Sequence, residues 1–461
     1  MDSLVLSPEL TPADVIVLKN LGNDIRLRHQ ASGRRDANGV AVGDKPTTKV
    51  CSTAKKNVQG ESLSEEEDVA EPAEIRDARD LGIMTRQNDP ASQDFEPTVF
   101  SSVDLRDLSS RLHPAVYRYA LQPYIAWARQ VARFDTDVVM VTHLILYFST
   151  TLPSAAWMFH RFTYLHAALH VAMQAWYMGA YTLMRHQHIH QRGVLAKRSW
   201  MQIFDHAFPY VMDPLMGHTW NSYFYHHVKH HHVEGNGPED LSSTVHYQRD
   251  SVWHFLHYVG RFYFFVWLDL PLYFVRKGWY DTGLRCASWE LSNYFTILVL
   301  FRLNSQATFF TLLLPLLAMR VMLMVGNWGQ HAFVDADEPD SDYRSSVTLV
   351  DVPSNRYCYN DGYHTSHHLN PMRHWRDHPV HFLQNKETYS REHALVFHNI
   401  DYLMITVKLF QKDYDHLARC LVPIGAQIDM TMEQRAAMLR RHTRRFSEEE
   451  IREKFSISKA K

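Results

Sequence analysis

Cysteine is scarce. The 461 residues hold four, Cys51, Cys286, Cys358 and Cys420, and no Cys-x-x-Cys pair. That excludes a disulfide framework and a thiolate zinc site. Charge imbalance is missing too: the formal net charge is −2, so no global field points to nucleic acid and none is expected as a partner. The start, Met-Asp-Ser-Leu-Val-Leu-Ser-Pro-Glu, has no basic n-region and no long apolar core, and no cleaved signal is expected. The histidine-bearing elements contain no P-loop, dinucleotide fingerprint, Gly-x-Ser-x-Gly or His-Glu-x-x-His, which sets those chemistries aside.

What is present is histidine, 30 residues of it. The run His226-His-Val-Lys-His-His-His232 carries five imidazoles in seven positions, and His364-Thr-Ser-His367-His368 follows far downstream. Neutral imidazole is the commonest ligand of borderline transition ions at neutral pH. A solvated, merely compositional tract is the bland alternative for either run alone.

The mean hydropathy of −0.32 averages two unlike parts. Residues 1–100 are expected to be mostly disordered, with a short capped helix after Thr11-Pro12 and an acidic run at Glu65–Asp68. Residues 101–136 space their apolar positions as interfacial helices do. Asp137–Phe159 and Phe162–Met184 are long enough to span a bilayer as helices, which takes about 20 residues. A Phe159-His160-Arg161 corner makes them a hairpin. Three further apolar runs, at Phe255–Val275, about Leu291–Phe301 and Thr308–Val325, separate the central cluster from Asn327 and His331. If all the histidine clusters share one membrane face, two of those three runs cross. The sequence leaves open which one does not, although the first carries Arg261 and Asp269. Residues 426–461 form a charged helical tail, with capping-box starts at Thr431-x-x-Gln434 and Ser447-x-x-Glu450.

Four elements thus come to one side. His186 and His190, i and i+4 at the end of the second span, leave one helix face. Asn327 and His331 repeat that spacing at the end of another. With the two clusters they offer too many neutral nitrogens for one ion, and two first-row metals fit, most plausibly iron. His188 points elsewhere. His166 and His170, inside a span, are read as packed, hydrogen-bonded histidines, as are the remaining ones, with His374 and His378 the strongest exceptions.

This pattern resembles the membrane fatty acid desaturases. His186-x3-His190, then His227 with the paired histidines after it, then His364-x2-His367-His368, are similar to that family's three histidine boxes, and Asn327-x3-His331 is similar to the Asn/His element of stearoyl-CoA desaturase. Residues 226–243, ending in Pro238-Glu239-Asp240, also resemble the second box of membrane alkane hydroxylases. One register makes His227, His230 and His231 the ligands; the other makes them His227, His231 and His232. The resemblance covers about 137–425. It implies an all-α membrane bundle of about four transmembrane helices, with a cytosolic helical cap carrying the boxes. It implies metal ligation by His186, His190, His227, His230, His231, His232, His331, His364, His367 and His368, with Asn327 through water. Two iron ions with O₂ as co-substrate would desaturate an unactivated bond of a fatty acyl or other lipid chain. Hydroxylation of the same class of substrate is the alternative, and a His-rich metal-binding or transport protein is a reading of another class. No His-Pro-Gly-Gly signature of a fused cytochrome b5 is present, so a separate cytochrome b5-like or ferredoxin-like donor is expected, and with it the endoplasmic reticulum membrane. Asp240, Asp335 and Asp361 are the carboxylates expected to orient the rings.

Overall fold

The computed structural model describes residues 10–36, 71–100, 103–104, 108, 111–350 and 352–456. Helices dominate: α1 (Pro12–Asp36), α2 (Ala73–Asn88), α3 (Gln122–Val131), α4 (Val138–His160), α5 (Tyr164–Gln191), α6 (Ser199–Leu215), α7 (Val252–Arg276), α8 (Tyr280–Leu303), α9 (Leu314–Gln330), α10 (His364–Leu369), α11 (Met432–His442) and α12 (Glu448–Ser456), with shorter turns between. Among the described residues, sheet is confined to an antiparallel pair, Thr98–Phe100 with Val103–Asp104, and a parallel pair, Val347–Leu349 with Leu395–Phe397.

The N-terminal region departs from expectation where it is described. α1 runs to Asp36 and α2 follows at Ala73, so the polar composition there does not prevent helix formation. The reason is tertiary. Val17, Leu18 and Leu21 bury against Tyr363, Phe382 and Val396, while Asn20 Nδ2 donates to Asp77 (2.8 Å) and Asp80 (2.9 Å) of α2. Polar side chains are spent on partners, and a few apolar ones are enough to dock the pair. The acidic run Glu65–Asp68 lies outside the described residues.

Among the described residues, two helices are long and apolar enough to cross a membrane, Val138–His160 and Ser305–Gln330, the second being α9 with the turns before it. α5, α7 and α8 have 28, 25 and 24 residues but fall short in apolarity. α5 carries Gln174, Arg185 and five histidines among its apolar residues. Large apolar side chains nevertheless stand exposed along them: Leu165, Leu169 and Trp176 on α5, Phe264 and Phe265 on α7, Phe295 and Leu298 on α8.

Contacts fix the directions. α4 and α5 form a hairpin whose corner meets the start of the Ser305 helix: Asn304 Nδ2 donates to Phe159 O (3.3 Å) and Gln306 Nε2 to Tyr164 OH (2.9 Å). The opposite ends of α5 and α9 carry His190 and His331. α7 touches that histidine end twice. Near its start, Tyr258 OH accepts from Asn327 Nδ2 (2.7 Å); at its end, Tyr273 OH donates to Glu234 (2.6 Å) and Lys277 pairs with Glu234 (3.1 Å). α7 therefore runs along the histidine end, and α8 leads from there to the Phe159 corner.

The tail closes over the same end. Thr431–Gln434 and Ser447–Glu450 form the reciprocal caps their spacing predicts. Phe446, Ile451 and Phe455 pack on Val245 and Val334. The tail's Arg441 pairs with Asp337 (2.9 Å) and Arg444 with Glu450 (2.6 Å).

Candidate metal centre

Each histidine is placed by its element. α5 starts on a Thr163 cap and stops where Arg192 turns left-handed (φ 56°), with Gly193 N donating to His188 O (2.9 Å). His186 and His190, one turn apart at that end, set their rings 4.8 Å apart. The central run is a π-helical turn, Phe224–His231, and His232 N donates to His227 O, five residues back. In an α-helix residues i and i+5 diverge by about 140°; across an i→i+5 bond they stack. His227 and His232 consequently share one side, and His231 points to another. In α10 the i, i+4 pair His364 and His368 shares a face, and His367 turns off it.

The nine rings converge in two groups. His186, His190, His227, His232 and His367 form one; His231, His331, His364 and His368 form the other. In the first, the Nε2 atoms make a closed four-sided figure: His186–His227 2.8 Å, His227–His232 3.0 Å, His232–His367 2.8 Å and His367–His186 3.0 Å. His190 Nε2 lies beside it, buried and without a hydrogen-bond partner among the described residues. In the second, His364 Nε2 is 3.2 Å from His331 Nε2 and 3.0 Å from His368 Nε2.

Hydrogen bonding alone does not account for this. An imidazole nitrogen either donates or accepts, never both. A ring of four such nitrogens can satisfy at most two of its four edges, which leaves lone pairs facing each other across the rest. A cation removes the conflict. Corners of a square with edges near 2.9 Å lie about 2 Å from its centre, which matches a first-row metal–imidazole bond of about 2.0–2.1 Å. The donor set fits a metal ion in each group.

The outer nitrogens support the same assignment. His231 Nδ1 donates to Asp240 Oδ2 (2.7 Å), His331 Nδ1 donates to Ser345 O (2.7 Å), and His368 Nδ1 lies 3.6 Å from Asp342. A proton held on Nδ1 leaves Nε2 bare for metal. Burial, then the neighbouring rings, presses His227, His232, His331, His364 and His367 well below the ordinary histidine range, so these rings are neutral at pH 7. Burial alone would raise the Asp240 carboxyl; His231 and His230 outweigh it and hold the group well below the usual range.

Several expected residues stand apart. His230 joins neither group: its Nε2 accepts from Leu241 N (2.8 Å) and its ring packs on Tyr273. Asn327 spends its amide nitrogen on Ser242 O (2.8 Å) and Tyr258 OH, bracing the loop beside His231. Of the three carboxylates expected to orient rings, only Asp240 does so. Asp335 caps Asp337 N (2.6 Å), and Asp361 meets Gln330 at 3.5 Å. Asp342 and Ser345, which do reach the rings, carry no signal in the sequence. His374 binds Asp137 (3.0 Å), His378 binds Ser366 (2.9 Å), His188 contacts Arg185 and Asp205, and His166 and His170 share Ser154.

Two all-imidazole groups at the ends of long apolar helices define the class of histidine-box proteins. Within it, this chain belongs to the fatty acid desaturase family, whose sequence profile matches residues 162–399, just over half of the chain. No curated protein and no solved structure matches. The family is membrane-associated, oxidises lipids and uses iron.

Proposed function

We propose that this chain is a membrane di-iron oxidoreductase that uses O₂ to introduce a double bond into a fatty acyl or other lipid chain. The observation that carries the reading is the closed figure of Nε2 atoms around His186, His227, His232 and His367, with the second group beside it. When bound there, iron supplies O₂-dependent cleavage of an unactivated C–H bond, which no side chain performs unaided. His186, His190, His227, His232 and His367 would hold one ion, and His231, His331, His364 and His368 the other. Asp240, Asp342 and the Ser345 carbonyl orient rings of the second group, and the two carboxylates offset the charge of a centre whose ligands are neutral. A separate cytochrome b5-like or ferredoxin-like protein would deliver electrons.

In this reading α4, α5, α8 and α9 cross the bilayer and α7 lies along its interface, where Arg261 and Asp269 stay wet. Arg185, Arg192, Lys197 and Arg198 at the histidine end favour the cytosolic side of the endoplasmic reticulum. An impermeant maleimide should label Arg161→Cys only from the face opposite Lys277→Cys; labelling of both from one face sinks this topology.

Hydroxylation is the second reading, and one observation favours it. His227, His231 and His232 enter the groups while His230 does not, which is the spacing of the alkane hydroxylase box. Expression in a lipid-producing host and mass spectrometry of the products separate the two: loss of two hydrogens marks a desaturase, gain of one oxygen a hydroxylase. A purified protein that holds only zinc and consumes no O₂ overturns both in favour of a metal-binding or transport role.

A further inference from the structure

Below α7 an open cleft separates it from α8 and α9. Its helical walls are largely apolar: Phe262, Val266 and Leu270 of α7, Cys286 of α8, Leu316 and Leu323 of α9, while His218, Thr219 and Ser222 add polar groups. An ion pair lies among the apolar side chains of α8 and α9. Arg320 of α9 and Glu290 of α8 pair in the wall, with side chains 13 % and 5 % exposed. Charges placed between apolar helices are costly and are retained for a task. The pair is also incompletely used. The Glu290 carboxylate accepts from Arg320, Tyr294 and Thr219, and a carboxylate has about four lone-pair positions. Arg320 Nη2 reaches Glu290 and Tyr294, and Nη1 donates to Tyr263 O (3.3 Å). Its Nε and second Nη1 hydrogen find no acceptor among the described residues.

The cleft thus offers open donors and an open acceptor with no net charge. An anionic head would meet Glu290, and a cationic one would meet Arg320. A group that both donates and accepts, and carries no charge, suits both. The inner wall leads to the histidines: Tyr223 and His226 line the cleft, with rings 5.2 Å from His227 and 6.3 Å from His231. His226 Nε2 is buried there without a partner among the described residues. Arg320 precedes His331 by eleven residues, about 16 Å of α-helix, so a head held at Arg320 would present the wall with carbons well along its chain.

We propose that this cleft binds an uncharged long-chain lipid, an amide or an alcohol, whose polar group hydrogen-bonds the Arg320–Glu290 pair. Only the sequel, oxidation of that chain, rests on the desaturase reading; binding does not. The test uses purified full-length protein in detergent without reductant, and three probes with one tail: oleamide, oleyl sulfate and oleyltrimethylammonium. Oleamide should bind at least tenfold more tightly than either charged probe. Glu290→Gln leaves a net positive wall and should shift the oleyl sulfate to oleamide ratio at least fivefold toward the sulfate. Val266→Trp, which fills the cleft without touching the pair, should weaken oleamide at least tenfold. Equal binding of the three probes, an unshifted ratio, or unchanged binding in Val266→Trp overturns the proposal. Because no turnover is needed, these binding results stand apart from the catalytic reading: a protein that binds oleamide but, once supplied with reductant, an electron donor and O₂, oxidises no lipid refutes that reading and leaves this one intact.

Discussion

Asp240 acts from a buried position. One oxygen accepts from His231 Nδ1 at 2.7 Å, and the other accepts from Ser242 N (2.8 Å) and Ser242 Oγ (2.7 Å). It fixes a loop and a ring tautomer together. Asp240→Asn keeps the shape and removes the charge, and iron affinity of the second group should fall about 10–100-fold, the usual cost of losing such a partner. Chelator competition measures it, and an unchanged affinity would remove Asp240 from the site. His230 and His232 separate in the same way. His232→Ala should cost one of two irons. His230→Ala should keep both and lose about 1–3 kcal/mol of stability, because Leu241 N is left buried without an acceptor. Metal analysis and thermal unfolding read the two effects apart; loss of iron in His230→Ala would reverse the assignment. Residue types were readable from the chain because imidazole-rich boxes have few other uses. Of their outer partners only Asp240 was: Asp342 and Ser345 lie more than 20 and just 14 residues from the rings they serve, His368 and His331, in a four-residue helical turn without a pattern.

At the scale of elements, the division into two metal groups depends on helical period. The i, i+4 pairs at His186/His190 and His364/His368 follow from an ordinary α-helix and can be read directly. The central run cannot, because α periodicity would set His227 and His232 about 140° apart. Its π turn brings them to one face, and nothing in Phe-Tyr-His-His-Val-Lys-His-His announces an i→i+5 bond. That is why four histidines compete for three places on paper. Deleting Val228 should convert the wide turn to ordinary α geometry, in which His227 and His232, then four residues apart, still share one face, so iron should stay near two per chain. Metal analysis with circular dichroism checks it; loss of an iron in the deletion would show that the i→i+5 turn itself is needed. The caps at Thr431 and Ser447 mark the contrasting case, in which three-residue spacing is all the chemistry requires.

For the whole molecule, the apolar runs point to membrane association, but the path each run takes depends on contacts between distant segments. The same holds for the C-terminal tail, whose charge suggests a solvated helix and whose fold is a latch. Arg249, fully buried, donates to Thr244 O (2.9 Å) and Tyr247 O (3.2 Å) on one side and to His442 O (2.9 Å) and Arg444 O (2.6 Å) on the other. Val334 N donates to His442 O (2.9 Å), so one carbonyl ties the tail to the loops that follow both His232 and His331. The His442 ring is held to about 4, chiefly by burial; Asp335 and Asp337 pull it upward, Arg249 and Arg441 downward. In the unfolded chain a histidine titrates near 6.5. Between those values the unfolded state binds the extra proton, so the latch is at full strength above pH 6.5 and weakens as pH falls toward 4, by at most about 3 kcal/mol. Hydrogen exchange across 442–456 should therefore accelerate between pH 7 and pH 5, after correction for intrinsic rates, and His442→Gln should flatten that dependence. Protection that holds constant over this range in the unaltered chain would show that the buried ring does not govern the latch.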